Sequence, residues 1–299
     1  MIKLMYITNN PRIAALADEA GVDRIFVDLE TVGKQLRQGG MNTVQSDHTL
    51  ADIRSVRPAV KHSELLVRVN PIYDWSREEI DAVIGSGADT LMLPYFQTAA
   101  QVEKFLSYVN GRARTILLVE TPEAVENLDE ILALPGIDEC HIGLNDLHLG
   151  YGRKFLFELL ADGTVDRIAE KFKARGIPFG IGGIARLGKG VVPAEYILAE
   201  HIRLGSEAVI LSRSFCNDIL FSNRPDREAV FAGIRRNFSG RTVTGSGKSS
   251  RRSWRISHES HRHRCIAGHC RRPRRPGIAG ADRHGPSGRA LRRGRPCTI

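Results

Sequence analysis

The sequence predicts an α/β protein folded as a (β/α)8 TIM barrel. Short β-rich runs alternate with amphipathic, helix-length segments through the first 240 residues, and such alternation requires a parallel sheet with helices packed outside it. Eight strand-then-helix units in about 240 residues match a closed barrel in count and size. The residues expected at the ends of strands three to six, Arg68, Pro94, Glu120 and Asp146, fall 26 positions apart, the spacing of successive units of nearly equal length. A doubly wound open sheet is the competing layout.

In order, the expected strands are 2–7, 23–29, 64–69, 88–93, 114–119, 137–142, 177–181 and 207–211, each a short apolar run. The expected helices are 11–20, 49–60, 76–86, 98–109, 121–134, 164–175, 192–204 and 213–236. Thr121-Pro122-Glu123 places a capping residue before a proline at the first helical position and an acid in the first turn. A helix therefore starts directly after Glu120. The segment 31–48 is longer than most strand-to-helix connections and carries Gly39-Gly40. It is either a mobile flap over the barrel or a loop with a short helical piece.

Composition separates this body from a tail. Hydrophobic residues make up 42% of the 299, enough to bury a sizeable core. The net charge of +9 comes from residues 241–299, which hold 16 Lys and Arg against 2 Asp and Glu and leave the rest at about −5. The mildly acidic body suggests no nucleic-acid surface. The expected organisation is a catalytic barrel over 1–240 and a disordered Arg/His/Pro/Gly-rich tail over 241–299, which has too little apolar periodicity to build a core. Such a composition is what a GC-rich gene yields when read out of frame, and a frameshift near 240–250 is the favoured explanation. A basic arm that binds nucleic acid, or a zinc site built from its His and Cys residues, are the alternatives. Cys140 and Cys216 are the body's cysteines, too few for a disulfide framework. With no long apolar run and no secretory-type opening, the expected location is the cytoplasm, with no membrane partner.

Active sites of such barrels lie at the carboxyl ends of the strands, where the expected boundaries place Glu30, Arg68, Glu120 and Asp146. Carboxylates and a guanidinium buried there must pair with each other or with a metal. Glu120 and Asp146, on neighbouring strands, suit a hard divalent cation, Mg2+ or Mn2+, that takes oxygen ligands and keeps waters. A salt-bridge network closing the barrel mouth is the other reading. Gly182 and Gly183, expected just after strand seven, sit where barrels often bind phosphate, or serve a tight turn.

Five stretches, VDLE (27–30), LVRVNP (66–71), GADTLMLPYFQTAAQVE (87–103), LLVETPEAVENLDEILALPGID (117–138) and IGLNDLHLGYG (142–152), together resemble the HpcH/HpaI aldolase and citrate lyase beta-subunit superfamily. The resemblance implies a metal-dependent lyase that makes or breaks a carbon–carbon bond in a 2-oxo acid such as pyruvate or oxaloacetate, or a related 3-hydroxy acid, through an enolate. A citrate-lyase-like enzyme using an acyl-CoA substrate, or a non-catalytic 2-oxo-acid-binding barrel, are the alternatives. It further implies that Glu120 and Asp146 ligate the metal, that Arg68 contacts the oxo or enolate oxygen, and that the amides of Asn145 and Asp146 hold the substrate carboxylate. A homo-oligomer, trimer or hexamer, is also implied. The pyruvate aldolases of this group carry a histidine after the acid of strand two, where this chain has Thr31. The proton acceptor is therefore open among His148, Glu30, His48 and a metal-bound water.

Overall fold

The computed structural model describes residues 2–32, 47–186, 190–212 and 215. Eight parallel strands close into a barrel in sequence order: β1 (Lys3–Ile7), β2 (Arg24–Asp28), β3 (Glu64–Arg68), β4 (Thr90–Leu93), β5 (Arg114–Val119), β6 (Glu139–Ile142), β7 (Phe179–Ile184) and β8 (Ala208–Leu211). Closure is made by β1 against β8, with Met5 opposite Ile210. The connecting helices are α1 (Pro11–Glu19), α2 (Leu50–Val56, continued by a 3-10 turn over Arg57–Ala59), α3 (Ser76–Gly85), α4 (Ala99–Val109), α5 (Pro122–Glu126), α6 (Leu128–Ile131), α7 (Leu144–Gly150), α8 (Glu158–Ala161), α9 (Thr164–Ala174) and α10 (Ala194–Leu204).

The expected strands lie within two residues of those observed, except at β7. There Gly182 and Gly183 are inside the strand rather than after it, and the register slips between Gly180 and Gly183. The bulge explains the misreading, because Gly182 takes φ +42 and breaks the extended pattern. The expected helix 121–134 divides at Asn127 into α5 and α6. Two short helices were not expected, α7 and α8, of seven and four residues, too short for a 3.6-residue period to declare itself. Asp146 and His148 thus sit in α7, in its first and last turns, and not at a strand end or a helix start. The expected helix 213–236 and most of the 31–48 segment lie outside the described residues. The chain divides into two units, Met1–Gly247 and Lys248–Ile299, the second wholly outside the described residues.

Alternation along the strands fills the barrel in layers. A middle layer of Met5, Phe26, Leu66, Met92, Ile116 and Ala208 is apolar and buried. Below it, at the amino ends of the strands, the buried Arg24 makes a two-pronged bond to Glu139, 2.7 Å on each arm, and donates through Nε to Glu64 at 2.8 Å. Three aspartates brace the strand starts. Asp23 accepts the Leu4 amide, Asp89 the Leu65 amide and Asp138 the Thr115 amide, at 2.8, 2.7 and 2.8 Å. Each stands just before an even-numbered strand and ties down the start of the preceding one.

Candidate active site

Above the apolar layer, charged residues fill the carboxyl end of the barrel. Asp28, the last residue of β2, faces Arg68, the last of β3, and the two form a fork: Nε to Oδ1 at 2.8 Å and Nη2 to Oδ2 at 2.7 Å. Glu30, two residues past β2 and buried, brings Oε2 to 3.4 Å from Arg68 Nη1. The guanidinium also lies 5.6 Å above the Phe26 ring, a favourable face for a cation. Burial works against the charge of Arg68, but Asp28 and Glu30 outweigh it and keep the guanidinium charged.

Glu120 follows β5 directly, and its place is set by backbone from two neighbouring units. Tyr95, just after β4, adopts φ +47, uncommon for a residue with a side chain, and its amide donates to Glu120 Oε1 at 3.0 Å. On the other side Gly143 presses against the same carboxylate, so that a Cβ built there would stand 2.7 Å from Glu120 Cβ and 2.8 Å from Oε2. At the far end of α7 a Cβ on Gly150 would stand 2.6 Å from Pro122 Cδ. Both ends of α7 are thereby seated on the Glu120-Thr121-Pro122 corner, and this seating draws Asp146 towards Glu120. Burial raises the Glu120 carboxyl well above the ordinary carboxylate range, and the charges of Glu30 and Asp146 raise it further. Glu120 therefore feels both Glu30 and Asp146 across the mouth, and Arg68 partly offsets them.

Carboxylate oxygens are the donor type that a hard divalent cation takes. Three buried or nearly buried carboxylates exceed the one guanidinium among them, and that guanidinium is already engaged by Asp28. Among the described residues no group of three or more His, Cys, Asp or Glu side chains is placed to hold a metal ion.

The other expected site residues are placed differently. Asn145 and Asp146 stand in the first turn of α7, where helical geometry leaves amide N–H groups without an acceptor in the helix; the Asn145 side chain is exposed. His148 is buried and its Nδ1 lies 3.1 Å from the Leu144 carbonyl. A carbonyl can only accept, so Nδ1 carries the proton and is occupied within the helix. Gly182 gives its carbonyl to His141 Nε2 at 3.1 Å, and Gly183 is exposed; both lie inside β7 and not in a turn after it. His48 is half-buried, and its Nδ1 accepts the Asp28 amide at 3.0 Å.

Residues 3–178 match the family model described as HpcH/HpaI aldolase/citrate lyase. The 4-hydroxy-4-methyl-2-oxoglutarate aldolase cghB of Chaetomium globosum is 22% identical, over 58% of this chain and 72% of that protein. The hydroxypyruvate/pyruvate aldolase of Roseobacter denitrificans is 30% identical, over 45% of this chain and 67% of that protein. The 2-keto-3-deoxy-L-rhamnonate aldolase of Escherichia coli O1:K1 is 26% identical over 47% of this chain, which spans 58% of that protein's length. Among solved structures, HpcH/HpaI aldolase from Desulfitobacterium hafniense DCB-2 superposes with a TM-score of 0.54 at 17% identity, over 71% of this chain and 86% of that one. Citrate synthase SbnG superposes at 0.53 with 16% identity, over 80% and 91%. At these identities the superpositions show the fold alone.

Proposed function

Because the chain belongs to the HpcH/HpaI aldolase/citrate lyase family, whose members depend on a divalent metal, we propose that it is a carbon–carbon lyase that cleaves or forms an aldol bond in a 2-oxo acid, with Mg2+ or Mn2+ held by Glu120 and Asp146. The observation that carries this reading is the convergence of Glu30, Glu120 and Asp146 on the mouth, close enough for the two others to raise the Glu120 carboxyl. The metal supplies Lewis acidity towards the 2-oxo and carboxylate oxygens of the substrate.

The chain's own residues supply the rest. Arg68 presents a fixed positive charge where negative charge develops on the substrate oxygen as the carbon–carbon bond breaks. The Asp28 fork sets that charge in place before the substrate arrives, so little reorganisation is needed. The first-turn amides of Asn145 and Asp146 orient the substrate carboxylate. Proton acceptance is assigned to Glu30, a buried carboxylate whose Oε2 lies 3.4 Å from Arg68 Nη1; His148, whose Nδ1 is bonded to the Leu144 carbonyl, would accept only through Nε2.

Among the described residues no helix is long and apolar enough to cross a membrane. The proposal extends to a homo-oligomer, trimer or hexamer, in the cytoplasm, in which residues 1–240 carry the activity and 241–299 do not. The experiment is a screen of 4-hydroxy-2-oxo acids and oxaloacetate for pyruvate release before and after EDTA. Activity lost to EDTA and restored by Mg2+ or Mn2+, in the full chain and in a chain ending at 240, supports the reading. Turnover indifferent to EDTA contradicts it, and so does metal-restored turnover confined to acyl-CoA esters.

A further inference from the structure

Beyond the carboxylate cluster stand two polar side chains with no part in the chemistry above, Asn70, two residues past Arg68, and Glu79, in the first turn of α3. We propose that Asn70 and Glu79 form a positioning relay that fixes Glu30 in the mouth. The inference rests on the role given to Glu30 in the preceding subsection.

The β2 ladder ends at Asp28, so strand pairing does not reach Glu30. The Glu30 amide donates to Asp28 Oδ1 at 3.2 Å. On the far side one side-chain oxygen takes several donors. Asn70 Oδ1 accepts the amides of Thr31 and Val32 at 2.8 and 2.9 Å, with the Thr31 hydroxyl at 3.4 Å.

This works only with the carboxamide turned one way, since the opposite rotamer would set the amide nitrogen against two N–H donors. Glu79 enforces the orientation. Its Oε1 accepts Asn70 Nδ2 at 2.8 Å and the Asn70 backbone amide at 3.2 Å, so the nitrogen faces Glu79 and the oxygen faces the turn. Glu79 is itself fixed on α3, which packs on α4. The chain of command runs from an outer helix, through one amide, to the two residues that follow Glu30.

Asn70 and Glu79 also line a cavity of about 380 Å³ with His48, Tyr73 and Trp75. Their bonds go to each other and to the turn, with Tyr73 as a further partner of Glu79.

The test combines amide hydrogen exchange at Thr31 and Val32 with steady-state kinetics of the full chain. N70A should raise exchange at both amides at least about tenfold and lower kcat on the order of 10- to 100-fold with little change in KM. If Asn70 acts through Glu30, N70A/E30Q should be no slower than E30Q alone. E79Q, whose Oε1 can still accept both Asn70 donors, should keep protection and kcat near the wild type, whereas E79L should lose both. A role in packing alone would not separate the two variants by their exchange at Thr31 and Val32. Unchanged exchange in N70A, additive losses in N70A/E30Q, E79L indistinguishable from E79Q, or wild-type turnover in E30Q would each overturn the proposal. Should the wild type cleave no 2-oxo acid, the functional reading fails separately, and exchange at Thr31 and Val32 still decides whether the relay exists.

Discussion

At position 143 a single methyl group decides whether Glu120 can keep its place. A Cβ there would stand 2.7 Å from Glu120 Cβ and 2.8 Å from its Oε2, distances that force one of the two to move. G143A should therefore lower metal-dependent turnover on the order of 10²-fold, while costing no more than about 1–3 kcal/mol of stability. Kinetics beside a thermal melt check this, and near-normal turnover would show slack at the junction. Such residues mark the limit of what one sequence discloses. Glu30, Arg68, Glu120 and Asp146 could be read because each is a charge just past an apolar run. Asp28 could not, since it looks like the polar end of a strand until Arg68, 40 positions on, closes the fork. Tyr95 and Gly143 act through backbone, by a strained φ and a missing side chain, and neither feature has a local signature.

Strand and helix placement followed from periodicity because the barrel repeats one unit, and the ends of each apolar run coincide with burial. Where a unit departs from the rule, the reading failed for a local reason, as at the β7 bulge and in α7 and α8, which run for only about two turns and one. The amino ends of the strands were also opaque. Arg24, Glu64 and Glu139 look like ordinary charged residues flanking strands, yet Arg24 is fully buried and held by both acids. Removing one partner of a buried pair leaves the other uncompensated, at about 3–5 kcal/mol. E139A should lower unfolding free energy by that order in urea titration, while R24M/E139L recovers most of it. A loss in E139A below about 1 kcal/mol would mean that Glu64 alone satisfies Arg24.

For the whole molecule, two buried histidines set the acid limit of the described barrel. Burial holds His141 down to about 4 and His201 to about 3, from an ordinary 6.5, and His141 further disfavours charge on His201. The unfolded chain takes up these protons as pH falls below 6.5, and the folded chain does not until near 4 and 3. Stability should therefore fall as pH drops through 6.5 towards 4, by about 1.4 kcal/mol per unit for each histidine. Comparing H201Q with the wild type between pH 5 and 6 isolates one of them, since the variant should lose one proton's worth of that slope. Equal slopes would refute the assignment.

Ion binding at the barrel mouth is the claim on which the functional account stands, and Mn2+ titration followed by electron paramagnetic resonance measures it without a substrate. The account predicts one Mn2+ bound per chain, with affinity lost at least about 10²-fold in both E120Q and D146N, in variants that melt like the wild type. Binding that is unchanged in either variant would contradict it.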